Sequence, residues 1–462
     1  MDIIIQKFGG TSLGDGERLN NVADIIQQTL KSNRVIAVVS ALSSSVKSKG
    51  TTSLLLQASE QAARGESFWR LIRTLRRQHL DALEHAVDDP ELRAGLLRFI
   101  RVELERLQGF LKAIQVIREL SPRSQDILLA TGERLSARML AATLSSRGVR
   151  AEVVDLIDVV PEGTRAVDPR LFNRLQRLIA KRVLGGTGGV PIVTGFFGLM
   201  PGGLLSAVGR GYTDFTAALI SAGLGRKAVK EMQVWKEVDG IFTADPRHVP
   251  AARVLERISP VEASELTYFG SEVLHPFTME RVVGARIPIR IKNTFNPEGA
   301  GTVIQSSTRK NQGPHITAVT AKRGITIFTV ESNRMYNAHG FMARVFKVLE
   351  DYAVNVDLIS TSEVSISCTV DRSAELERAR GALEQLGNVT VIPERAILAM
   401  VGEGMKYAVG TAGKMFSTLG ANGINIEMIS QGASEINISC VIKESDTETG
   451  LRAIHQVFVE EA

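Results

Sequence analysis

At 462 residues the chain is longer than one hydrophobic core supports, so two or three folding units are expected. Hydrophobic residues at 44% and charged residues at 23% exclude a disordered or fibrous polymer. The formal charge of +5 is interleaved with acidic residues at helical spacing, notably between Arg64 and Arg123, and with 5% aromatics there is little surface for stacking bases; a nucleic-acid partner is excluded.

The opening MDIIIQKFGG holds an apolar run that ends at Lys7, too brief for a signal h-region. No later run approaches the roughly eighteen apolar residues of a membrane span, so a cytoplasmic chain with no membrane partner is expected. IIIQKF, a Gly/Ser turn, NNVADIIQQTL and RVIAVVSAL then follow the rhythm of βαβ units. Near-continuous runs such as VIAVVS and VPIVTGFFG predict parallel strands covered on both faces by helices. From about residue 53 to 120, Leu, Ile and Phe recur at three and four positions, which predicts a helical insertion. The α/β rhythm is expected to return after Asp126, through LLATGERLSARMLAATL, AEVVDL and RLQRLIAKRVL, and to continue to PIRIKN around Ile291. The polar, breaker-rich QSSTRKNQGP, from Gln305 to Pro314, marks the main boundary.

Beyond it the chain repeats itself at an offset of about seventy residues. VNVDLISTSEVSISC from Val354 aligns with INIEMISQGASEINISC from Ile424 after a two-residue insertion, and Gly340, Phe346 and Leu349 match Gly410, Phe416 and Leu419. Each unit reads as strand, loop, helix, strand, turn, strand. The two cysteines, Cys368 and Cys440, fall at the same point of the repeat, which favours packing over a disulfide or a metal site.

Three stretches carry chemistry. KFGGTS, Lys7 to Ser12, follows the first strand: glycine amides can approach phosphate oxygens and the lysine supplies a point charge, although an ordinary tight turn fits Gly-Gly equally well. The spacing is not that of a Walker A loop. GGLLSAVGRGYTDFTAALI, Gly202 to Ile220, sets Arg210 between glycines ahead of Thr213 and Asp214 at a helix start. A guanidinium there suits a carboxylate, whereas Thr213 or Asp214 alone could be an N-cap. VWKEVDGIFTADPRHVPAARVL, from Val234, is a strand entering a polar turn. Backbone around Lys236 to Gly240 could take an adenine edge, with Phe242 and Arg247 on base or phosphate; a plain DG turn is the alternative.

With ATGERLSAR at Ala130 and ELTYFGSEVLHPFTMERVVGARIPIRIKNTFNP at Glu265, these motifs resemble, in order and over essentially the whole chain, the aspartate kinase family of the amino-acid kinase superfamily. GRGYTD in place of the commoner GRGGSD, GTTSLL and the long insertion are similar to its fungal-like branch. The resemblance implies an α/β fold: an α/β/α sandwich with a largely parallel sheet over residues 1–307, then two βαββ ferredoxin-like ACT domains over 315–390 and 395–462. It implies transfer of the ATP γ-phosphoryl group to the β-carboxylate of L-aspartate, with Mg²⁺ carried by the nucleotide rather than by protein side chains. Lys7 and Asp214 are the implied catalytic pair. Thr51, Glu133, Arg210 and Thr213 would bind substrate, and Gly9, Gly10, Ser12, Lys236, Glu237, Phe242 and Arg247 would bind ATP. Met335, Phe341, Asp357, Ser362 and Glu363 match an effector site for lysine or threonine, and the ACT pair implies a homodimer or higher homo-oligomer.

The chain departs from the family pattern at Glu272, where lysine is frequent, at Lys236 and Glu237, where Thr-Asp is common, and at Ala338, where serine is frequent. His275, followed by Pro276, is expected to be structural. The competing readings are another carboxylate kinase of the same superfamily and a non-catalytic amino-acid sensor.

Overall fold

The computed structural model describes residues 1–44, 46–186, 188–209, 211–269, 274–306, 316–331, 340–372, 374–432 and 436–461. The chain forms two compact units. The first comprises residues 1–241, 256–260 and 274–306, and the second 242–255, 261–273 and 307–462. Two segments of the expected catalytic stretch, 242–255 and 261–273, thus belong to the second unit.

The first unit runs β1 (Ile3–Phe8), α1 (Gly16–Leu30), β2 (Arg34–Val39), α2 (Thr51–Ala63), α3 (Trp69–Ala86), α4 (Pro90–Ile117), α5 (Pro122–Ser146), β3 (Ala151–Val154), α6 (Pro169–Leu184), β4 (Val190–Thr194), α7 (Leu204–Ala207), α8 (Tyr212–Leu224) and β5 (Val229–Lys236). Then come β6 (Arg257–Ile258), α9 (Pro260–Tyr268), which from Val261 lies in the second unit, α10 (Pro276–Gly284), β7 (Ile289–Asn293) and β8 (Thr302–Ile304). The strands make one sheet in the order β3-β4-β2-β1-β5-β7-β8-β6. Pairing is parallel from β3 through to β7, and only β7 against β8 is antiparallel. Every residue of β1 is buried, as a strand covered on both faces requires. Its neighbours β2 and β5 carry the chain away in opposite directions, so the carboxyl end of β1 is a topological switch point, where open α/β sheets bind ligands.

The helices start where the sequence supplies caps. Asp15, Asp89, Ser121 and Asp168 each accept a backbone N–H of the first turn, and Pro90, Pro122 and Pro169 fill the position after three of them. The helical insertion is present as α2, α3 and α4, and α4 ends at Arg118 in the left-handed conformation. The α/β rhythm returns after Asp126 through α5, β3 and α6. LLATGERLSARMLAATL lies inside α5, which packs on α2 and α4, because nothing between Pro122 and Ser146 breaks the helical period.

The second unit continues with β9 (Ala318–Glu331), α11 (Phe341–Asp351), β10 (Val356–Thr361), β11 (Ser365–Asp371), α12 (Ala374–Glu384), β12 (Asn388–Val401), α13 (Thr411–Ala421), β13 (Met428–Gln431), β14 (Asn437–Lys443) and α14 (Thr447–His455). Its sheet has the order β10-β11-β9-β12-β14-β13, symmetric about β9 and β12. These two 14-residue strands run antiparallel along almost their whole length, 388–392 against 331–327 and 397–401 against 322–318. The repeat is also visible in the backbone. Gly324, Gly340 and Ala353 have positive φ, and so do Glu394, Gly410 and Gly423 seventy positions on. Cys368 and Cys440 are free and buried on β11 and β14, and burial pushes both thiols up to about 12. Among the described residues no helix is long and apolar enough to cross a membrane.

Candidate active site

Lys7 stands at the carboxyl end of β1, level with Val38 of β2 and Val234 of β5. Its ammonium lies 2.8 Å from a carboxylate oxygen of Asp214 in the first turn of α8, and both side chains are nearly buried. The chain then turns through Gly9 and Gly10. A Cβ on Gly10 would lie 2.5 Å from the Ala41 carbonyl oxygen and 2.9 Å from Ser43 Cβ, so this turn and the one after β2 can only pass each other here without a side chain. Ser12 is buried with its hydroxyl 2.8 Å from that of Thr294.

Glu133 is fully buried on α5. Its Oε2 accepts from the Phe196 N–H, just beyond β4, and its Oε1 accepts from the Thr213 hydroxyl at 3.2 Å. Gly195 makes this possible, because a Cβ there would sit 2.5 Å from Thr213 Cγ2 and 2.9 Å from Glu133 Oε2. Thr213 ties the two centres together, since its neighbour Asp214 holds Lys7. Burial pushes the Glu133 carboxyl up to about 8, against the opposing pull of hydrogen bonds from Tyr212, Phe196 and Thr213 and of the Lys7 charge.

That shift has a stability consequence. Below the ordinary carboxyl range both folded and unfolded chains hold the proton. Between about pH 4.5 and about pH 8 the unfolded chain releases it and the folded chain keeps it, so stability falls as pH rises through this window. Glu133→Gln removes the ionisation, and any loss of hydrogen bonding applies at every pH. The stability of ligand-free Glu133→Gln relative to the parent is therefore higher near pH 8 than near pH 5, by on the order of a few kcal/mol through linkage, and its relative melting temperature follows in the same direction. Parallel thermal melts at the two pH values measure it, and equal differences would refute it.

The remaining predicted residues are placed as follows. Thr51 opens α2 with its N–H on the Leu42 carbonyl at 2.9 Å, and its buried hydroxyl has no hydrogen-bond partner among the described residues. Lys236 ends β5, with its carbonyl accepting from the Thr294 N–H, and Glu237 beyond it is exposed. Phe242 and Arg247 fall in the second unit: Phe242 bridges to Val254, and Arg247 forks onto Asp245. Arg210, Glu272, Met335 and Ala338 lie outside the described residues. Phe341 begins α11 and is buried, whereas Ser362 and Glu363 are exposed in the turn between β10 and β11. Asp357 binds the Lys322 ammonium at 2.8 Å, and Lys322 also reaches Asp371 at 2.8 Å.

Two groups, Asp126 and Tyr212, escaped the sequence reading. Asp126, two turns before Glu133 on the same face of α5, accepts from the backbone N–H groups of Met200 and Leu204, and burial raises it to about 6. Two acids seven positions apart, each set among apolar neighbours on one helix face, were a usable signal. Tyr212 is buried with its ring edge-on to Phe196. His275 does cap α10, as a structural histidine should, accepting from the Phe277 N–H at 3.3 Å; it also feels the Asp214 charge, although burial keeps it below its ordinary value.

A lysine and a glycine turn at a sheet switch point, beside the buried Asp214, Thr213 and Glu133, are compatible with nucleotide-dependent phosphoryl transfer in an α/β fold. Comparison with known proteins specifies the acceptor. The Amino acid kinase family profile matches residues 2–293, and an ACT domain profile matches 328–386 and 398–458. The aspartokinase of Schizosaccharomyces pombe is 44% identical over 99% of this chain and 93% of its own length, and that of Saccharomyces cerevisiae is 43% identical over 99% and 93%. The structure of E. coli aspartokinase III in complex with aspartate and ADP, in the R-state, superposes with a TM-score of 0.78 at 29% identity over 98% of this chain and 99% of that one. The same enzyme in complex with lysine and aspartate, in the T-state, gives 0.79 at 29% identity over 99% and 100%. The chain belongs to the amino acid kinase family, within it to the aspartate kinases that carry ACT domains. It phosphorylates the β-carboxylate of L-aspartate at the expense of ATP.

Proposed function

We propose that the phosphoryl transfer is divided among the residues as the sequence expectations assign it. The carrying observation is the Lys7–Asp214 ion pair at the switch point, one residue along from the Thr213 hydroxyl that holds Glu133. Lys7 neutralises charge on the γ-phosphoryl group, and Gly9, Gly10 and Ser12 cradle the phosphates. Lys236 and Glu237 offer backbone to adenine. Arg210 clamps the substrate α-carboxylate, Glu133 receives its ammonium, Thr51 and Thr213 hold it, and Asp214 lies at the reacting end.

The substrate carboxylate, with a reference pKa of about 3.9, is already ionised at neutral pH, so no general base is needed. One of its oxygens bonds to the γ-phosphorus as the bond to ADP breaks, and the electron pair leaves on the ADP oxygen. What the protein supplies is positioning and charge. The Asp214 carboxylate beside Lys7 is a hard oxygen donor compatible with Mg²⁺ held mainly by the nucleotide. When bound, Mg²⁺ supplies further neutralisation of the phosphates.

The reading extends to regulation. ACT domains over 315–390 and 395–462 join a homodimer, and lysine or threonine acts through Phe341, Asp357, Ser362, Glu363 and Met335 as a feedback effector. An effector shifts activity only by binding two states unequally. E. coli aspartokinase III with lysine in the T-state supports this assignment. The enzyme is cytoplasmic and feeds lysine, threonine and methionine synthesis. In a hydroxamate assay, Arg210→Ala raises KM for aspartate at least about tenfold and leaves KM for ATP nearly unchanged, as loss of a charged hydrogen-bond partner of one substrate requires. Equal rises in both constants would reject the proposed division of labour.

A further inference from the structure

Thr294 follows the last residue of β7 and is fully buried. Its polar groups reach three different segments of the first unit. The N–H donates to the Lys236 carbonyl at the end of β5 at 2.8 Å, and the carbonyl accepts from Asn21 Nδ2 on α1 at 2.7 Å. The hydroxyl lies 2.8 Å from that of Ser12 in the turn after β1. The neighbouring residues repeat the pattern. Asn293 and Asn296 both donate to Asp239 in the segment after β5, at 3.0 and 2.9 Å. The Phe295 ring lies 5.4 Å from the Arg18 guanidinium, and Arg18 donates at 2.8 Å to the Thr11 carbonyl, beside Ser12. Residues 293–296 therefore brace both the glycine turn and the start of the segment after β5.

We infer that Thr294 is a positioning residue for ATP, its hydroxyl fixing Ser12 and with it the glycine turn, so that the phosphate and adenine subsites keep the spacing of one nucleotide. The missing side chains that let Gly9 and Gly10 approach a phosphate also free their backbone, and that freedom has to be removed before the amides can face a ligand in one arrangement. The Thr294 backbone is tied to Lys236 and to α1 whatever its side chain, so the hydroxyl is an arm on a fixed base. Ser12 and Thr294 are both fully buried, so water does not replace their bond when one hydroxyl is removed. Shape and hydrogen bonding can be separated at this position: valine keeps the branched side chain without the hydroxyl, and serine keeps the hydroxyl without the methyl.

The inference rests on the proposed role of Ser12 in holding phosphates, and the experiment separates the two. Thr294→Val, Thr294→Ser, Ser12→Ala and the double variant Ser12→Ala/Thr294→Val, each as the full chain, are compared with the parent in steady-state kinetics and in calorimetric titration with ADP. Thr294→Val raises KM for ATP and Kd for ADP roughly fivefold, the scale of one buried hydrogen bond between neutral groups, and leaves KM for aspartate within about twofold. Thr294→Ser stays within about twofold of the parent in all three constants, and Thr294→Ala, which adds no bulk, repeats the Thr294→Val pattern. The double variant is no worse than Ser12→Ala, because the two hydroxyls form one contact. Equal losses for ATP and aspartate, a Thr294→Ser defect as large as that of Thr294→Val, or additive losses in the double variant overturn the inference, because a packing defect behaves that way. If Ser12→Ala raises KM for ATP while Thr294→Val keeps the parent constants, Ser12 serves the nucleotide without Thr294 and the inference alone fails. If Ser12→Ala leaves nucleotide binding unchanged, the reading of Ser12 fails and this inference fails with it.

Discussion

Lys7→Ala lowers kcat for aspartyl phosphate formation by about a hundred- to a thousandfold, the range seen when one preorganised group facing developing charge is removed. The size of the loss follows from the position of Lys7. The ammonium stands at the end of a fully buried strand, fixed in register with β2 and β5, so it needs no reorganisation when charge builds on the transferring group. Asp214 holds it at 2.8 Å, and a nucleotide phosphate can take over part of that contact. The substitution also strands Asp214, a nearly buried carboxylate, and thermal melts should show a loss of stability alongside the loss of turnover. Single-turnover measurements with saturating ATP and aspartate isolate the chemical step. A decrease confined to KM would mean that Lys7 serves binding alone.

The second large effect belongs to the other unit. Lys322→Met destabilises the C-terminal unit by about 3 to 5 kcal/mol, the usual result of removing one partner of a buried pair. Lys322 lies between Asp357 and Asp371, each at 2.8 Å, and the Asp357 side chain is 8% exposed. Without the cation Asp357 loses its ion-pair partner and both hydrogen bonds that the ammonium donates. Burial already raises Asp357 above the ordinary carboxyl range, with Lys322 opposing the rise. A raised carboxyl contributes a penalty that grows as pH increases through its titration, so the deficit of Lys322→Met is smaller in acid than at neutral pH. Urea unfolding at the two pH values tests the sign. Because Asp357 is also a proposed effector residue, the variant's response to lysine and threonine should move along the concentration axis. A response superimposable on the parent's would put the effector elsewhere.

Local chemistry was legible in the sequence. KFGGTS announced a strand, a charge and a close-packed turn within six residues, and the repeat after Val354 defined the second unit without any three-dimensional information. The Glu133 pocket could not be read in the same way. Its donors come from Phe196 and Thr213, more than sixty positions away, and no local pattern reports that Gly195 clears space for them. The course of α9 was hidden for a different reason. Its apolar residues show that a face is buried but not which body buries it. In the structure Glu262 accepts from the Thr317 hydroxyl and the Glu403 N–H, Glu265 accepts from Asn437, and Phe269 packs with Ile325, Ile327 and Leu358.

The pairing of β9 with β12 makes the tandem copies inseparable. Residues 318–322, at the start of the first copy, hydrogen-bond to the strand that begins the second, so no single scission between the copies yields two finished modules. Neither half can unzip while the other stays closed. A ligand that tightens one half does so along a rod common to both, and a protease sampling transient openings should meet them as a single event.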